Sequence, residues 1–243
     1  MQLCGVTLRR GAATVFHRLD LQLSEPRIGL IGDNGAGKSS LLRLVAGLEE
    51  PTAGQVRLDG HAAPHGPGRR GIGLMFQNPD EQIIFPTVEE ELALGLERPG
   101  RPRREARTLA RRWLAERGLA DWADRAIGSL SQGQRQRVCW LALLIAAPSR
   151  LLLDEPFASL DLPGQARLQR EIHALPQQVI VATHLLAPVR GFERVLWLAE
   201  GRVRADGPGM AVCAAYEADV AARLMAEGDR LVAEGDRPLP AAA

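Results

Sequence analysis

Short apolar segments with strand character lie toward both ends of the chain. Residues 6–8 and 19–23 alternate apolar and polar positions, and this two-residue period predicts half-buried strands. Residues 151–153 and 179–182 are instead continuous apolar runs, which are typical of parallel strands buried on both faces. We therefore expect a half-exposed sheet and a buried parallel sheet in one molecule.

The middle of the chain has a different period. Residues 80–147 lack strand-like segments, and the clearest helix is predicted over 104–117, with Leu109, Trp113 and Leu114 on its buried face. A strand-rich part, a helical part and a part that alternates strands with helices follow one another. This order predicts one α/β domain with a helical insertion rather than two independent domains.

The changes of period give approximate bounds for these parts. We predict a core over 1–79 and 148–206, a helical subdomain over 80–147 inserted into it to give one domain over 1–206, and a C-terminal helix and tail over 207–243. The longest apolar run, 138–147, is too short to span a bilayer.

Charge and cysteine content limit the partners and the cellular compartment that we expect for this protein. Lys and Arg number 30 against 29 Asp and Glu, so no overall positive field favours nucleic acid as a partner. The three cysteines lack metal-ligand spacing and suit a reducing compartment. No secretory signal is recognisable, so we expect contact with a membrane only through a partner. The arginine-rich stretch 98–117 favours a solvated helix face, with docking to a membrane partner or acidic lipid as the alternative.

Residues 32–39 read G-D-N-G-A-G-K-S between a strand-like and a helix-like segment. This is the G-x-x-x-x-G-K-[ST] loop, in which glycines let consecutive N–H groups turn toward a phosphate at a helix N-terminus. Lys38 is predicted to bind the β- and γ-phosphates of ATP, and Ser39 to ligate Mg²⁺. The predicted nucleotide-binding residues are Gly32, Asn34, Gly35, Ala36, Gly37, Lys38, Ser39 and Ser40.

Two adjacent carboxylates, Asp154 and Glu155, end the apolar run 151–153. Because α/β sheets bind ligands at the carboxyl ends of their parallel strands, we expect this pair at the nucleotide site rather than free on the surface. Asp154 is predicted to hold Mg²⁺, directly or through water, and Glu155 to act as general base on the attacking water.

The order of motifs resembles that of the ATP-binding cassette (ABC) ATPases over about residues 3–206. The resemblance is carried by the loop 32–39, Gln77, the L-S-Q-G-Q signature segment 130–134, L-L-L-D-E at 151–155, S-L-D at 159–161, and His184. The signature is the most specific of these, because other phosphate-loop ATPases lack it. The resemblance implies a P-loop NTPase (RecA-like) core of the α/β class, with an antiparallel β subdomain and an inserted helical subdomain.

The resemblance also implies a head-to-tail dimer with two ATP molecules at its interface. Each ATP would lie between the phosphate loop of one subunit and the signature segment of the other. Ser131, Gly133 and Gln134 begin a helix-prone segment, so they would meet the γ-phosphate at a helix N-terminus. The same residues would also suit a plain helix cap.

Three further residues take their roles from the resemblance. Gln77 resembles the glutamine that senses Mg²⁺ and the attacking water and that joins the core to the helical insertion. His184 ends the last predicted parallel strand and resembles the histidine that contacts the γ-phosphate. Asp161 resembles the aspartate at the dimer interface.

The aromatic residue on which this family usually stacks adenine is missing. Residues 8–10 stand at its approximate position, and Phe16, the nearest aromatic, lies on a predicted strand. Either Arg9 or Arg10 stacks on the base, or base recognition is loose.

One segment narrows the family further. Residues 77–82, Q-N-P-D-E-Q, followed by P-T-V-E-E at 86–90, look like the ATPases of energy-coupling factor (ECF) transporters, which import vitamins such as biotin or the transition-metal ions cobalt and nickel. Asp80, Glu81 and residues 89–91 would then form an acidic rim for a basic coupling segment, or would simply stabilise helix N-termini.

The ECF resemblance implies a set of partners and a location. The partners are a second ATPase subunit (a second copy or a paralogue), a transmembrane coupling subunit and a substrate-binding membrane subunit. The location is the cytoplasmic face of the cell membrane, as a peripheral subunit. Which solute is carried is left open.

Two other functions compete with ATP-driven import. A soluble ABC ATPase acting on ribosomes or DNA usually has two cassettes or a long coiled-coil insertion, and neither occurs in this sequence. A phosphate-loop kinase or GTPase would leave the signature segment and Gln77 unexplained. The sequence therefore favours the importer subunit.

Overall fold

The chain folds into two sheets with helices packed on and between them. The computed structural model describes residues 1–63, 69 and 71–235, with side chains up to residue 226, so the end of the predicted tail lies outside the described residues. In chain order the elements are β1 (Gln2–Arg10), β2 (Ala13–Gln22), β3 (Arg27–Ile31), α1 (Lys38–Ala46), β4 (Ala53–Leu58), β5 (His61–Ala62), β6 (Ile72–Met75), α2 (Val88–Leu94), α3 (Arg103–Ala115), α4 (Gln132–Ala146), β7 (Arg150–Asp154), α5 (Leu162–Ala174), β8 (Gln178–Ala182), β9 (Arg194–Ala199), β10 (Arg202–Gly207) and α6 (Gly209–Gly235).

The central sheet sets three strand ends side by side. Its order is β10-β9-β3-β8-β7-β6, with five parallel strands and β10 joined to β9 as an antiparallel hairpin. All of β3 and the last four residues of β7 and β8 are buried, as expected for a sheet covered on both faces. The segments that leave the carboxyl ends of β3, β7 and β8 begin with the phosphate loop, Glu155 and residues 183–184. The predicted catalytic segments therefore meet at one edge of the sheet.

The second sheet supports the helix that follows the phosphate loop. Its strands are antiparallel in the order β2-β1-β4-β5. Its side chain Phe16 lies in the same apolar cluster as Leu41 and Leu44 of α1. The predicted alternating strands are confirmed but are longer than the pattern indicated, because irregularities in the β1–β2 pairing interrupt the two-residue period.

The helices between β6 and β7 have an apolar cluster of their own. On α3 the buried residues are Ala106, Ala110 and Leu114. The predicted buried face is therefore partly wrong, since Leu109 and Trp113 are only half-buried. Small alanines let α3 approach α2 closely, and a pattern based on large apolar residues does not detect such a contact.

The acidic residues of α2 do not form the predicted acidic rim. Glu89 is 3% exposed and pairs with Arg107 and Arg111 of α3. Glu91 is 4% exposed, and its carboxylate accepts two backbone N–H groups of the preceding loop at 2.9 Å. The rim prediction is wrong at these two positions, because Glu89 faces α3, where it neutralises part of the positive charge, and Glu91 faces the loop. Asp80 and Glu81 are exposed, as a rim would require.

The C-terminal helix packs on the hairpin edge of the central sheet. Val212 and Cys213 of α6 are buried in the cluster that also contains Trp197 of β9. Farther along the helix, Leu224 and Met225 are 62% and 72% exposed. Within the described part of the chain, no helix is both long enough and apolar enough to cross a bilayer.

Candidate functional site

Glycine shapes the phosphate loop between β3 and α1. Gly32 has φ 139° and Gly37 has φ 98°, both in the region that favours glycine. A Cβ atom on Gly32 would lie 2.1 Å from the Leu198 carbonyl oxygen, and one on Gly37 would lie 2.8 Å from the Phe16 ring. The loop therefore lies too close to its neighbours for side chains at these positions. Phe16 is fully buried beneath the loop, where it is unable to stack on a base.

The amino group of Lys38 lies inside the curve of the loop. Its Nζ donates to the Gly32 carbonyl at 2.7 Å and to the Asp33 carbonyl at 3.2 Å. The residue is 7% exposed, and burial lowers its pKa against the opposing charges of Glu155, Asp154 and Asp33. A cation held by two carbonyl oxygens beside these carboxylates is available to a phosphate group.

The remaining loop residues divide between tip and base. Asn34 and Gly35 are exposed at the tip, whereas Ala36 and Ser40 are buried where the loop joins α1. The Ala36 N–H donates to the Asp33 carbonyl at 3.1 Å, which closes a turn within the loop.

Asp154 and Ser39 supply neighbouring oxygen atoms. Asp154 ends β7 and is 6% exposed, and its Oδ1 atom is buried without a hydrogen-bond partner among the described residues. Burial raises the pKa of Asp154, while a hydrogen bond with the Ser39 side chain acts in the opposite direction. A buried carboxylate oxygen without a partner, next to a hydroxyl, fits the oxygen ligands that Mg²⁺ prefers.

Glu155 is held beside His184 by both backbone and side chain. Its φ of 48° is left-handed, which costs a non-glycine residue about 1 kcal/mol, and its N–H donates to the Ala182 carbonyl at 2.8 Å. The Glu155 Oε2 atom lies 2.9 Å from His184 Nδ1 and 3.3 Å from the His184 backbone nitrogen. The carboxylate is nearly buried, while the imidazole is 54% exposed. The predicted base and the predicted γ-phosphate contact are therefore direct neighbours.

A buried glutamine that sequence reasoning missed supports this arrangement. Gln136 of α4 is 1% exposed, and its Nε2 donates to the Pro156 carbonyl at 2.9 Å and to the Glu155 carbonyl at 3.4 Å. A polar residue on the apolar side of a predicted helix was the available signal. The contact ties the signature helix to the backbone of Glu155.

The signature residues and Asp161 form a second cluster. Ser131 Oγ accepts from the Gln134 N–H at 3.3 Å, and Gln134 Oε1 accepts from the Ser131 N–H at 2.9 Å, so this pair forms a capping box at the start of α4. Asp161 caps α5 through the Gly164 N–H at 2.9 Å. With Gly133 they border a groove of about 630 Å³, and none of the described residues that line it belongs to the phosphate loop. The signature cluster and the phosphate-loop cluster are therefore separate in the chain.

The two helices that border the groove are linked by one carboxylate. Glu171 of α5 accepts from Trp140 Nε1 of α4 at 2.6 Å and from both terminal nitrogens of Arg137 at 2.5 and 2.8 Å. Burial acts to raise the pKa of Glu171, but the hydrogen bonds from Arg137 and Trp140 outweigh it and hold the pKa below the ordinary value of 4.5. The charged form therefore stabilises the fold.

We expect Glu171→Gln to remove part of the acid sensitivity of unfolding. The stabilisation by Glu171 is complete above pH 4.5 and disappears as the pH falls through the lower folded-state pKa. At pH 7 the variant should lose about 1–2 kcal/mol, because two donors of the link lose an ionised acceptor. Chemical denaturation at pH 7 and at acid pH measures both effects, with the exposed Glu105→Gln as control. An equal loss in the two variants would contradict the role of Glu171.

Gln77 and Arg10 differ in how firmly their side chains are held. Gln77 is exposed just beyond β6, whose Met75 pairs with Leu153 of the neighbouring β7. Arg10 forms a two-pronged ion pair with Glu49, with nitrogen–oxygen distances of 2.8 and 2.6 Å. Its guanidinium plane is therefore already fixed by a carboxylate.

Comparison with known proteins assigns the family. The ABC transporter family model matches residues 16–158. The biotin transport ATP-binding protein BioM of Rhodobacter capsulatus is 48% identical over 87% of this chain and 91% of its own length. The energy-coupling factor transporter ATP-binding protein EcfA1 of Streptococcus thermophilus is 38% identical over 72% of this chain and 66% of its own length.

A solved structure has the same architecture. CbiO1 from Clostridium perfringens, described as part of the ABC transporter complex cbiONQ, superposes with a TM-score of 0.75 at 26% identity, covering 95% of this chain and 97% of its own. The predicted fold class is thereby confirmed, as is the prediction of an ATPase. The chain belongs to the ATP-hydrolysing subunits of ABC transporters, with ECF transporter ATPases among its relatives.

Proposed function

We propose that two such subunits, identical or paralogous, enclose ATP between them and drive an ECF importer of biotin. The observation that carries the proposal is the separation of two half-sites in one chain. The phosphate loop lies with Asp154, Glu155 and His184, whereas the signature residues border another groove. A triphosphate on the loop of one subunit would need the signature of a second subunit to be enclosed.

The loop and the strand ends would bind the nucleotide. The loop N–H groups and Lys38 would neutralise the β- and γ-phosphates. Ser39 and Asp154 would hold Mg²⁺, with Gln77 approaching from the end of the adjacent β6. When bound, Mg²⁺ offsets the negative charge that develops on the phosphate oxygens during phosphoryl transfer. Support comes from the unpartnered Oδ1 of Asp154 beside the Ser39 hydroxyl.

Glu155 would act as the general base. Its carboxylate would accept the proton of a water molecule as the water oxygen attacks the γ-phosphorus and ADP leaves. His184 would hold this carboxylate through the 2.9 Å contact and would reach the γ-phosphate from its exposed position. Gln136 would keep the Glu155 backbone in place.

The signature of the second subunit would complete the site. The Ser131 hydroxyl accepts the cap hydrogen bond from the Gln134 N–H, so its own hydrogen remains free to donate to a γ-phosphate oxygen. Gly133 would add an N–H group of the same helix N-terminus, and Gln134 would hold Ser131 in place through the capping box. Asp161, which caps α5 on the same groove, would lie at the interface.

The membrane partners would be a transmembrane coupling subunit and a substrate-binding subunit, with this chain at the cytoplasmic face. Residues 1–79 and 148–206 would serve as the ATP-binding core, and 80–147 as the part that meets the coupling subunit. Ile84 supports that contact, since its side chain is 73% exposed although its backbone N–H and that of Phe85 are fixed by hydrogen bonds to Glu91. We propose biotin rather than cobalt or nickel because BioM is named for biotin transport. BioM is 48% identical to this chain, compared with 38% for EcfA1.

Isolation of the tagged chain from detergent-solubilised native membranes tests this proposal. We expect two membrane proteins to co-purify and, in liposomes, to support ATP-dependent uptake of labelled biotin but not of cobalt. Ile84→Asp should reduce their recovery without changing ATP binding, because an aspartate disfavours an apolar contact. Recovery with ribosomes, or salt-sensitive binding to RNA or DNA, would instead support the soluble alternative.

A further inference from the structure

The C-terminal helix reaches the tip of the phosphate loop. Tyr216 of α6 donates its hydroxyl to Asp33 Oδ1 at 2.7 Å, and Arg223 Nη1 donates to Asp33 Oδ2 at 2.7 Å. Both residues lie beyond the segment 16–158 matched by the ABC transporter model. A loop from the first quarter of the chain is thus held by its last described helix.

Both donors are held in place by contacts other than Asp33. The Tyr216 ring meets the Trp197 ring edge to face, with centroids 5.3 Å apart. Arg223 also pairs with Asp219 at 2.9 Å, and Asp219 pairs with Arg204 at 2.7 Å. The helix therefore presents a prearranged hydroxyl and guanidinium to Asp33.

Asp33 is an unexpected residue in a loop that binds an anion. A carboxylate next to bound phosphates repels them, and the repulsion is strongest at low salt. Hydrogen bonds from Arg223 and Tyr216 hold the pKa of Asp33 below its ordinary value, so this carboxylate is ionised at neutral pH. Its charge is compensated by the guanidinium of Arg223 rather than by protonation.

We propose that Arg223 and Tyr216 are positioning residues for the phosphate loop. They hold the Asp33 side chain toward α6 and offset its charge, so that the loop presents its N–H groups and Lys38 to the triphosphate without a competing carboxylate. The C-terminal helix thereby sets nucleotide affinity in the same subunit. This inference rests on the proposed role of the loop as the triphosphate site.

The test compares binding of the non-hydrolysed analogue AMP-PNP with Mg²⁺ by calorimetry in full-length proteins. Arg223→Met should weaken binding about threefold to tenfold at low salt and much less at about 0.5 M salt, because salt screens the uncovered charge. The double variant Asp33→Asn/Arg223→Met should regain wild-type affinity. In steady-state assays, Arg223→Met should raise KM for ATP and leave kcat within about twofold.

Arg190→Met is the matched control. Arg190 pairs with Glu217 of α6 and forms no hydrogen bond or ion pair with Asp33 in the described part of the chain, so its loss weakens helix packing without exposing the loop carboxylate. The affinity of Arg190→Met for AMP-PNP should equal that of the wild type. Equal affinities of Arg190→Met and Arg223→Met, or a double variant no better than Arg223→Met, would overturn the inference.

Tyr216→Phe and Lys38→Ala cover the cases in which Arg223→Met alone would not decide the question. If Arg223→Met does not fold, as judged by thermal unfolding, Tyr216→Phe must weaken binding in the same salt-dependent way, and no change would reject the inference. Lys38→Ala tests the underlying assignment separately. Loss of binding in Lys38→Ala with none in Arg223→Met would reject the helix role alone, whereas unchanged binding in Lys38→Ala would reject the loop as the triphosphate site.

Discussion

Glu155→Gln is expected to slow ATP turnover by about 10²- to 10⁴-fold while ATP affinity changes little. Glutamine keeps the size of the side chain and an oxygen that accepts the His184 backbone N–H, which lies 3.3 Å away in the wild type. It lacks the negative charge that accepts a proton from water. Binding rests on the loop and Lys38, which this substitution leaves unchanged.

Phosphate release under single-turnover conditions and light scattering with ATP and Mg²⁺ measure the two consequences. We expect the variant to accumulate as a dimer that retains ATP, because the enclosed nucleotide is no longer hydrolysed. Glu116→Gln, an exposed carboxylate at the end of α3 that pairs with Arg112, is the control and should behave as wild type. Turnover at wild-type speed in Glu155→Gln would remove Glu155 from the role of base.

The convergence of the predicted catalytic segments could be foreseen from the sequence because it depends on local patterns. A continuous apolar run predicts a buried parallel strand, and neighbouring parallel strands carry their carboxyl ends to the same edge of a sheet. Asp154, Glu155 and His184 each stand at or just beyond such an end. Lys38 follows β3 through the phosphate loop, and the structure brings it near the two carboxylates and places His184 beside Glu155. Their chemical roles stay predictions until the variants are measured.

Sequence reasoning missed contacts between residues that lie far apart in the chain and belong to different secondary-structure elements. Tyr216 and Arg223 lie 183 and 190 positions from Asp33, and no local pattern connects them. The rim prediction is wrong at Glu89 for a related reason, since Glu89 pairs with Arg107 of a different helix. Periodicity gives the buried face of an element, whereas ion pairing depends on how whole elements pack.

Lys38→Ala is expected to weaken ATP binding about 30- to 100-fold, the value of a charge-assisted contact to phosphate. Lys38→Arg should also bind poorly although it keeps the charge. Arginine is larger and planar, and Lys38 is 7% exposed within a loop that has room for a compact ammonium group. Calorimetry with ATP and Mg²⁺ measures both variants, and thermal unfolding verifies that each is folded.

Chemical labelling provides an independent test of the contact between Lys38 and the triphosphate, because Lys38 is the only lysine in the chain. Acylation with an amine-directed reagent has one side-chain target, and the lowered pKa of Lys38 favours its reactive neutral form. ATP with Mg²⁺ should protect Lys38 from the reagent, while the amino terminus, when free, serves as the internal control for reagent strength. Equal labelling of Lys38 with and without nucleotide, together with unchanged affinity in Lys38→Ala, would show that the triphosphate binds elsewhere.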